Sequence, residues 1–419
     1  MRPGKFSILA LARPRSTWLA ELTRWSGSGV IGAELIRCVS TDEVRARLTS
    51  LQRFSAVMFD EHSLGLDRDL LAACTDAACA AIVVTAGLPR RDWISLGADR
   101  TIDSSFGSDE LLSTLRAVAT PIEQCDKVSA IAGSAPVDTP VAPLIAVTGG
   151  GGTGRSTVAI ALAQALPGSA LIDGALDASL ALMIGGVDIV PALQELVEAH
   201  RTGVPTADEV RTVLATCDRH GFDLLPGLRR HRDWTTLRPR AVEATVRSLR
   251  QAYPVVIADI DADIEGESDT GSFDIADRNS LARTIASTAD AIVVTGRSDL
   301  TGLSRLVSTV ATLIDFGIEP GCITPVVLRP TRSILSPAEI RRSISNLLER
   351  VVGDVVIATA MVIELPRDLD TIVLDGAPMP APLVEQLGRL LPTQLEGVAS
   401  TPEAIRPVPI VSGELGIAS

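Results

Sequence analysis

With 419 residues, 46% of them hydrophobic, the chain can bury a sizeable core and exceeds the roughly 150 residues usual for one domain, so two globular domains are expected. A net charge of −13 works against non-specific binding of nucleic acid or anionic lipid by the molecule as a whole. Aromatic residues at 3% leave few platforms for stacking single-stranded nucleic acid. The cysteines Cys38, Cys74, Cys79, Cys125, Cys217 and Cys322 show no Cys-x-x-Cys spacing and read as core thiols of a reducing cytoplasm.

The stretch MRPGKFSILALARPRSTW starts basic and holds a short apolar run. The run ends in Arg13, Pro14 and Arg15 with no small-residue cleavage site, so it reads as a first strand rather than a signal peptide. No apolar run approaches the length of a membrane span, and a cytoplasmic protein is expected. TWLAELTRW reads as a helix, and AVMFD and AAIVVTA as strands. DELLSTLRAVA reads as an amphipathic helix with Leu111, Leu112, Leu115 and Val118 at helical spacing. Residues 121–143 lack periodicity, are rich in Pro, Ala and Ser, and read as a linker. Beyond it LIAVT, ALID, FDLLP, VVIADI, AIVVT and ITPVVL read as strands with helical segments between them. SPAEIRRSISNLLERVVG carries helix-start and helix-stop signals: Ser336 as N-cap, Pro337 at the first position, Glu339 at the third and Gly353 near the end. Apolar strands alternating with helices imply mostly parallel sheets covered on both faces, so both domains are expected to be α/β. The expected boundaries are 1–120, a linker at 121–143, 144–395, and a loose tail at 396–419.

TGGGGTGRST, Thr148 to Thr157, comes close to the phosphate-loop pattern G-x-x-x-x-G-K-[ST]. Gly149 and Gly154 take the glycine places and Ser156 the hydroxyl place, while the lysine place holds Arg155. A strand precedes the loop and a helix follows, which is the context such a loop requires. Backbone N–H groups of Gly149, Gly150, Gly151, Gly152, Thr153, Gly154 and Arg155, continuing into Ser156 and Thr157, would converge on phosphate oxygens, and the helix start adds positive potential. Ser156 is placed to hold Mg2+, with Asp259 at the end of YPVVIADID supporting the ion through water. Asp173 ends the strand ALID and is a further candidate for the metal, and Asp177 stands four residues on, a catalytic candidate beside Arg155. Ligands of open α/β sheets sit beyond the carboxyl ends of the strands, so these features reinforce one another.

On these stretches, together with FDLLPG, ADAIVVTGRSDLTGLSRL and IELPRDLDTIVLDGAPMP, residues 144–391 resemble the MinD/ParA family of deviant P-loop ATPases. Within it they look most like the CpaE/TadZ-type pilus-assembly and septum-site-determining-like proteins. The resemblance implies a P-loop NTPase fold, ATP or ADP with Mg2+ as ligand, Pro366 near the base, and a homodimer formed across the nucleotide. It also implies protein partners in a pilus, secretion or division apparatus. The departures bear on chemistry. The family lysine that crosses the dimer falls on Gly150, the second lysine on Arg155, and the Asn-Arg pair beside the adenine near Arg329 and Pro330. Arginine keeps the charge but is a wide planar fork where the loop takes a compact ammonium. Phosphate binding with weak or absent hydrolysis is therefore expected, with Arg155 turned outwards to Asp173 or Asp177. Two alternatives stand beside this: an active ATPase cycling on membrane or DNA, and a dimer scaffold that binds no nucleotide.

Residues 1–120 resemble a response-regulator receiver, with Asp60 at the phospho-acceptor place and Thr85 at the switch hydroxyl. The metal-binding acids fall on Ala12 and Arg13 and the lysine on Ser104, which implies an inert receiver-like (flavodoxin-like) domain. The basic stretch from Arg229 to Arg250 reads as a solvated face balancing an acidic protein, with DNA binding through it as the less favoured alternative. No basic amphipathic helix closes the sequence, so contact with the inner face of a membrane would run through a partner.

Overall fold

A computed structural model describes residues 6–13, 16–50, 52–122, 141–186, 192–353 and 355–390. Most of the expected linker (123–140), Cys125 and the expected tail (396–419) lie outside them. The first sheet has five parallel strands: β1 (Phe6–Leu11), β2 (Ala33–Cys38), β3 (Ala56–Asp60), β4 (Ala80–Thr85) and β5 (Arg100–Asp103). Their order, β2-β1-β3-β4-β5, is the flavodoxin-like doubly wound order. The apolar runs of β1, β3 and β4 are buried along their whole length because helices cover both faces. Trp18 and Leu22 of α1 (Thr17–Ser28) and Leu111 and Leu115 of α5 (Ser108–Val118) pack on Ile8, Met58 and Ile82. On the other face lie α2 (Thr41–Leu48), α3 (Arg68–Asp76) and α4 (Trp93–Leu96), with Val44, Leu70, Leu71 and Trp93 against Leu9, Val57 and Val83.

The second sheet has eight strands: β6 (Leu144–Gly149), β7 (Ala170–Gly174), β8 (Ala215–Cys217), β9 (Phe222–Leu225), β10 (Val256–Ile260), β11 (Ala291–Arg297), β12 (Ile323–Pro330) and β13 (Met361–Leu365). The order is β13-β12-β11-β6-β10-β7-β9-β8, parallel throughout except for the terminal pair β8–β9. Alternate residues of β6 feed two cores, Leu144 and Ala146 on one face, Ile145 and Val147 on the other. That is why such strands read as unbroken apolar runs. One face is covered by α6 (Arg155–Ala165), α7 (Leu180–Met183), and two later helices described below. The opposite face carries α8 (Ala192–Thr202), α9 (Ala207–Val213) and α10 (Pro239–Ala252). Next along the chain come α11 (Glu267–Thr270) and α12 (Phe273–Arg278). They are followed by α13 (Ser280–Thr288), α14 (Leu300–Asp315) and α15 (Pro337–Val352), which complete the opposite face. The first face is closed by α16 (Leu369–Leu374) and α17 (Ala381–Gly388). The start of α15 is the capping box expected from Ser336 and Glu339, with the Glu339 carboxylate accepting from Ser336 N–H at 2.7 Å.

The two halves meet where α3 lies against α8 and α10. Arg68 Nε donates to the His200 carbonyl at 2.9 Å, and Arg201 Nη1 pairs with Asp67 at 2.9 Å. Arg240 donates its N–H to Asp69 at 3.0 Å and both Asp76 oxygens lie 2.9 Å from its Nη2.

Candidate functional site

β6 runs next to β10 and β11 and releases the chain at Gly149 into the loop that starts α6 at Arg155. Two of the loop's glycines are required sterically. A Cβ on Gly149 would lie 2.3 Å from Thr295 Oγ1 and 2.7 Å from the Thr295 carbonyl. Gly154 has φ +85°, and a Cβ there would lie 2.3 Å from Leu328 Cδ1. Thr153 folds inward, its hydroxyl donating to the Gly150 carbonyl at 2.7 Å and lying 2.8 Å from Thr295 Oγ1. The first-turn N–H groups of α6, on Arg155, Ser156 and Thr157, have no carbonyl one turn back within the helix, and they carry the positive end of its dipole.

The Arg155 side chain does not turn outwards to Asp173 or Asp177. It turns in towards the end of β10, where Nε abuts Asp259 Oδ1 and Nη1 donates to Asp261 Oδ1 at 2.7 Å. The reason is strand order: β10 is the neighbour of β6, with Asp259 registered on Val147, so its acids stand closest to the first residue of α6. Ser156 donates its hydroxyl to Asp259 Oδ2 at 2.6 Å, and Asp261 Oδ2 accepts the Leu176 N–H at 2.8 Å. Burial pushes the Asp259 carboxyl up, and Arg155 and Ser156 pull it back. Burial works against the Arg155 charge, and the two acids more than offset it, so its pKa is raised.

Asp173 is registered beside Asp259 on β7 and is buried. Its Oδ2 accepts the Leu180 N–H at 2.9 Å, while Oδ1 has no partner among the described residues, and burial pushes the group up to about 7. Asp177 is exposed and, among the described residues, pairs only with the His231 ring, at 3.3 Å. Asp261 is a site residue that the sequence reading passed over, although it stands two places after Asp259 in a stretch already singled out. Arg305 of α14 is another. Its Nη1 donates to the Gly151 carbonyl at 3.3 Å, and a Cβ on Gly150 would lie 3.1 Å from its Cδ.

The loop separates two cavities. One, of about 550 Å3, is walled by Leu328, Pro330, Leu365 and Pro366 over Gly152 to Gly154, with Arg297, Arg332 and Arg367 also lining it. Pro366 is thus brought to the loop from the far end of β13. Arg329 is not among the lining residues; its guanidinium donates to the Leu335 carbonyl at 3.0 Å and to Glu364 at 2.8 Å. The other cavity, of about 630 Å3, is lined by Gly149 to Gly152, Arg155, Ser156, Asp177, Asp261 and Arg278. The set Ser156, Asp259 and Asp173 fits Mg2+ poorly. Asp259 Oδ2 accepts the Ser156 hydroxyl, Oδ1 is held in an ion-pair contact with Arg155 Nε without a hydrogen bond, and Asp173 spends one oxygen on a backbone N–H.

In the first sheet Asp60 Oδ2 is met by Arg13 Nε at 3.3 Å and Oδ1 accepts the His62 N–H at 3.0 Å. Thr85 and Ser104 line the same cavity of about 300 Å3. The arginines between Arg229 and Arg250 are not simply a solvated face. Arg240 sits in the seam between the halves, and Arg250 binds the Ala142 and Thr288 carbonyls, at 2.7 and 2.8 Å, and Asp290 at 2.8 Å.

No protein-family model matches the chain, and no curated protein does. Among solved structures it is similar to the cell division ATPase MinD of Pyrococcus furiosus, at 18% identity over 59% of this chain and 99% of that one, TM-score 0.44. The septum site-determining protein MinD of Pyrococcus horikoshii, complexed with Mg-ADP, is similar at 18% identity over 62% and 99%, TM-score 0.45. A ParA family ATPase of Chlorobium tepidum follows at 16% over 62% and 99%, TM-score 0.45. Identities and scores of this size carry no assignment of function to this chain.

Proposed function

We propose that this chain is a nucleotide-binding protein of the MinD/ParA kind that hydrolyses ATP very slowly or not at all. We propose further that it acts through protein partners in placing a pilus, secretion or division apparatus, with the receiver-like half as an interaction module. The observation that carries the nucleotide reading is the loop itself. Its shape excludes a Cβ at Gly149 and Gly154, and it opens onto the first-turn N–H groups of α6. Slow hydrolysis is supported by Arg155, whose guanidinium is held at Asp259 and Asp261. Phosphoryl transfer depends on charges placed against the transferring group, and losing one typically lowers the rate about 10²–10³-fold.

The test is calorimetric titration with ATP and ADP in the presence of Mg2+, together with steady-state phosphate release by the wild type, Arg155→Lys and Arg155→Ala. Weak binding, negligible turnover and tighter binding by Arg155→Lys are expected. Turnover at the rate of an ordinary ATPase would show that the arginine suffices for catalysis. No binding at all, with Arg155→Ala melting like the wild type, would favour a structural scaffold.

A further inference from the structure

The carboxylates beneath the loop already hold a cation, and that cation belongs to the chain. Arg155 Nε abuts Asp259 Oδ1, and its Nη1 donates to Asp261 Oδ1 at 2.7 Å. The remaining oxygens of the pair are also spoken for, Asp259 Oδ2 by the Ser156 hydroxyl at 2.6 Å and Asp261 Oδ2 by the Leu176 N–H at 2.8 Å. A hard divalent cation at a phosphate loop relies on this hydroxyl and this acid being available, directly or through water. Here its entry would require breaking an ion pair in which Asp259 is 1% and Arg155 16% exposed. An uncompensated charge left at such depth is costly, so the resident pair resists displacement.

The geometry of the guanidinium is also suited to the bridging task. Its five N–H groups form a planar fork that matches carboxylates and phosphates alike. Nε lies against Asp259 as an ion-pair contact and Nη1 donates to Asp261; Nη2 has no partner among the described residues, and Arg155 lines the same cavity as the loop glycines. Arg305, donating to the Gly151 carbonyl at 3.3 Å, places a second fixed positive charge on the loop.

We propose that Arg155 does in this site what a divalent cation does elsewhere: it bridges the Asp259–Asp261 pair to the phosphates of a nucleoside di- or triphosphate, so that the nucleotide binds without metal. The proposal rests on the nucleotide reading of the loop. It differs from that reading in its consequence, because it makes affinity insensitive to Mg2+.

The experiment is titration of the full chain with ADP and with ATP, in excess EDTA and again in excess Mg2+, for the wild type, Arg155→Ala and Arg155→Lys. Mn2+ binding is followed in parallel by electron paramagnetic resonance. For the wild type we expect dissociation constants within about threefold of each other with and without Mg2+, and no bound Mn2+. In Arg155→Ala the freed acids should take Mn2+, and Mg2+ should tighten ADP binding by about tenfold or more. Should Arg155→Ala fail to fold, Arg155→Lys carries the comparison, since a single ammonium cannot hold both acids in a fork and metal dependence should return in part. Wild-type binding that requires Mg2+ overturns the proposal and leaves the nucleotide reading intact. Metal-free binding that persists unchanged in both variants overturns the role of Arg155. No binding in EDTA or in Mg2+ overturns the nucleotide reading itself.

Discussion

Gly154 and Gly151 sit three residues apart in one loop and answer to different constraints. Gly154 holds φ +85° with Leu328 Cδ1 2.3 Å from where a Cβ would stand; a Cβ at Gly151 would meet nothing within 4 Å, and its φ is not positive. An L-residue at positive φ costs about 1–2 kcal/mol and overpacking a core about 1–3 kcal/mol, so Gly154→Ala is expected to destabilise by about 2–5 kcal/mol. Gly151→Ala, at an exposed position, should stay within about 0.5 kcal/mol of wild type. Urea denaturation of both variants checks this, and equal losses would mean that the loop relaxes around a Cβ at Gly154. The same residue-level reasoning explains Gly150. Its missing side chain lets the Arg305 stem lie across the loop, where a Cβ would stand 3.1 Å from Arg305 Cδ.

At the scale of elements, the seam of α3 with α8 and α10 is built from charges aimed at helix ends and helix faces. Arg68 reaches the His200 and Gly203 carbonyls at the end of α8, where carbonyls lack donors within the helix and a cation is favoured by the dipole. The His200 ring, 2% exposed, lies 2.7 Å from the Ser248 hydroxyl of α10. Burial, with the Arg68 charge beside it, pushes this histidine down to about 4. The folded protein therefore binds fewer protons here than the unfolded chain between about pH 6.5 and pH 4. The stabilising contribution is full above the unfolded pKa and is lost as the pH falls through that window. Its size between pH 7 and pH 5 is on the order of 2 kcal/mol. His200→Gln, which keeps a polar group near Ser248, should lose correspondingly less stability than wild type between those two pH values. Chemical denaturation at both pH values would show it, and parallel losses would place the ring's titration elsewhere.

For the whole molecule, one parallel and one mostly parallel α/β sheet carry loops at their strand carboxyl ends, and the second presents the glycine loop flanked by two open cavities. Under the proposed function a second copy of this chain would meet that face across the nucleotide. With Gly150 in place of the crossing lysine, a homodimer whose formation depends only weakly on ATP is expected. Light scattering with and without nucleotide is the measurement. A monomer that dimerises only when ATP is added would contradict this, and would mean that another residue, Arg305 being the nearest candidate, supplies the contact across the interface.

Chain-local signals are legible in the sequence alone. The central strands of both sheets, buried on both faces, stand out as apolar runs, and the Ser336 capping box and the glycine loop depend on residues close in sequence. The strands left unread, β2, β5, β8 and β13, lie at the four sheet edges. All are partly exposed, so they lack the unbroken apolar run that marked the others. The partners of the site's charges were likewise beyond reach. Asp173 ends the next strand in sequence after the loop, yet Arg155 pairs with Asp259 and Asp261, over 100 positions away, because the sheet inserts β10 between β6 and β7. Local sequence determines which segments form strands and where a loop must be glycine. Strand order decides which acids meet a given cation, because it is set by the packing of the whole sheet and its helices rather than by neighbours along the chain.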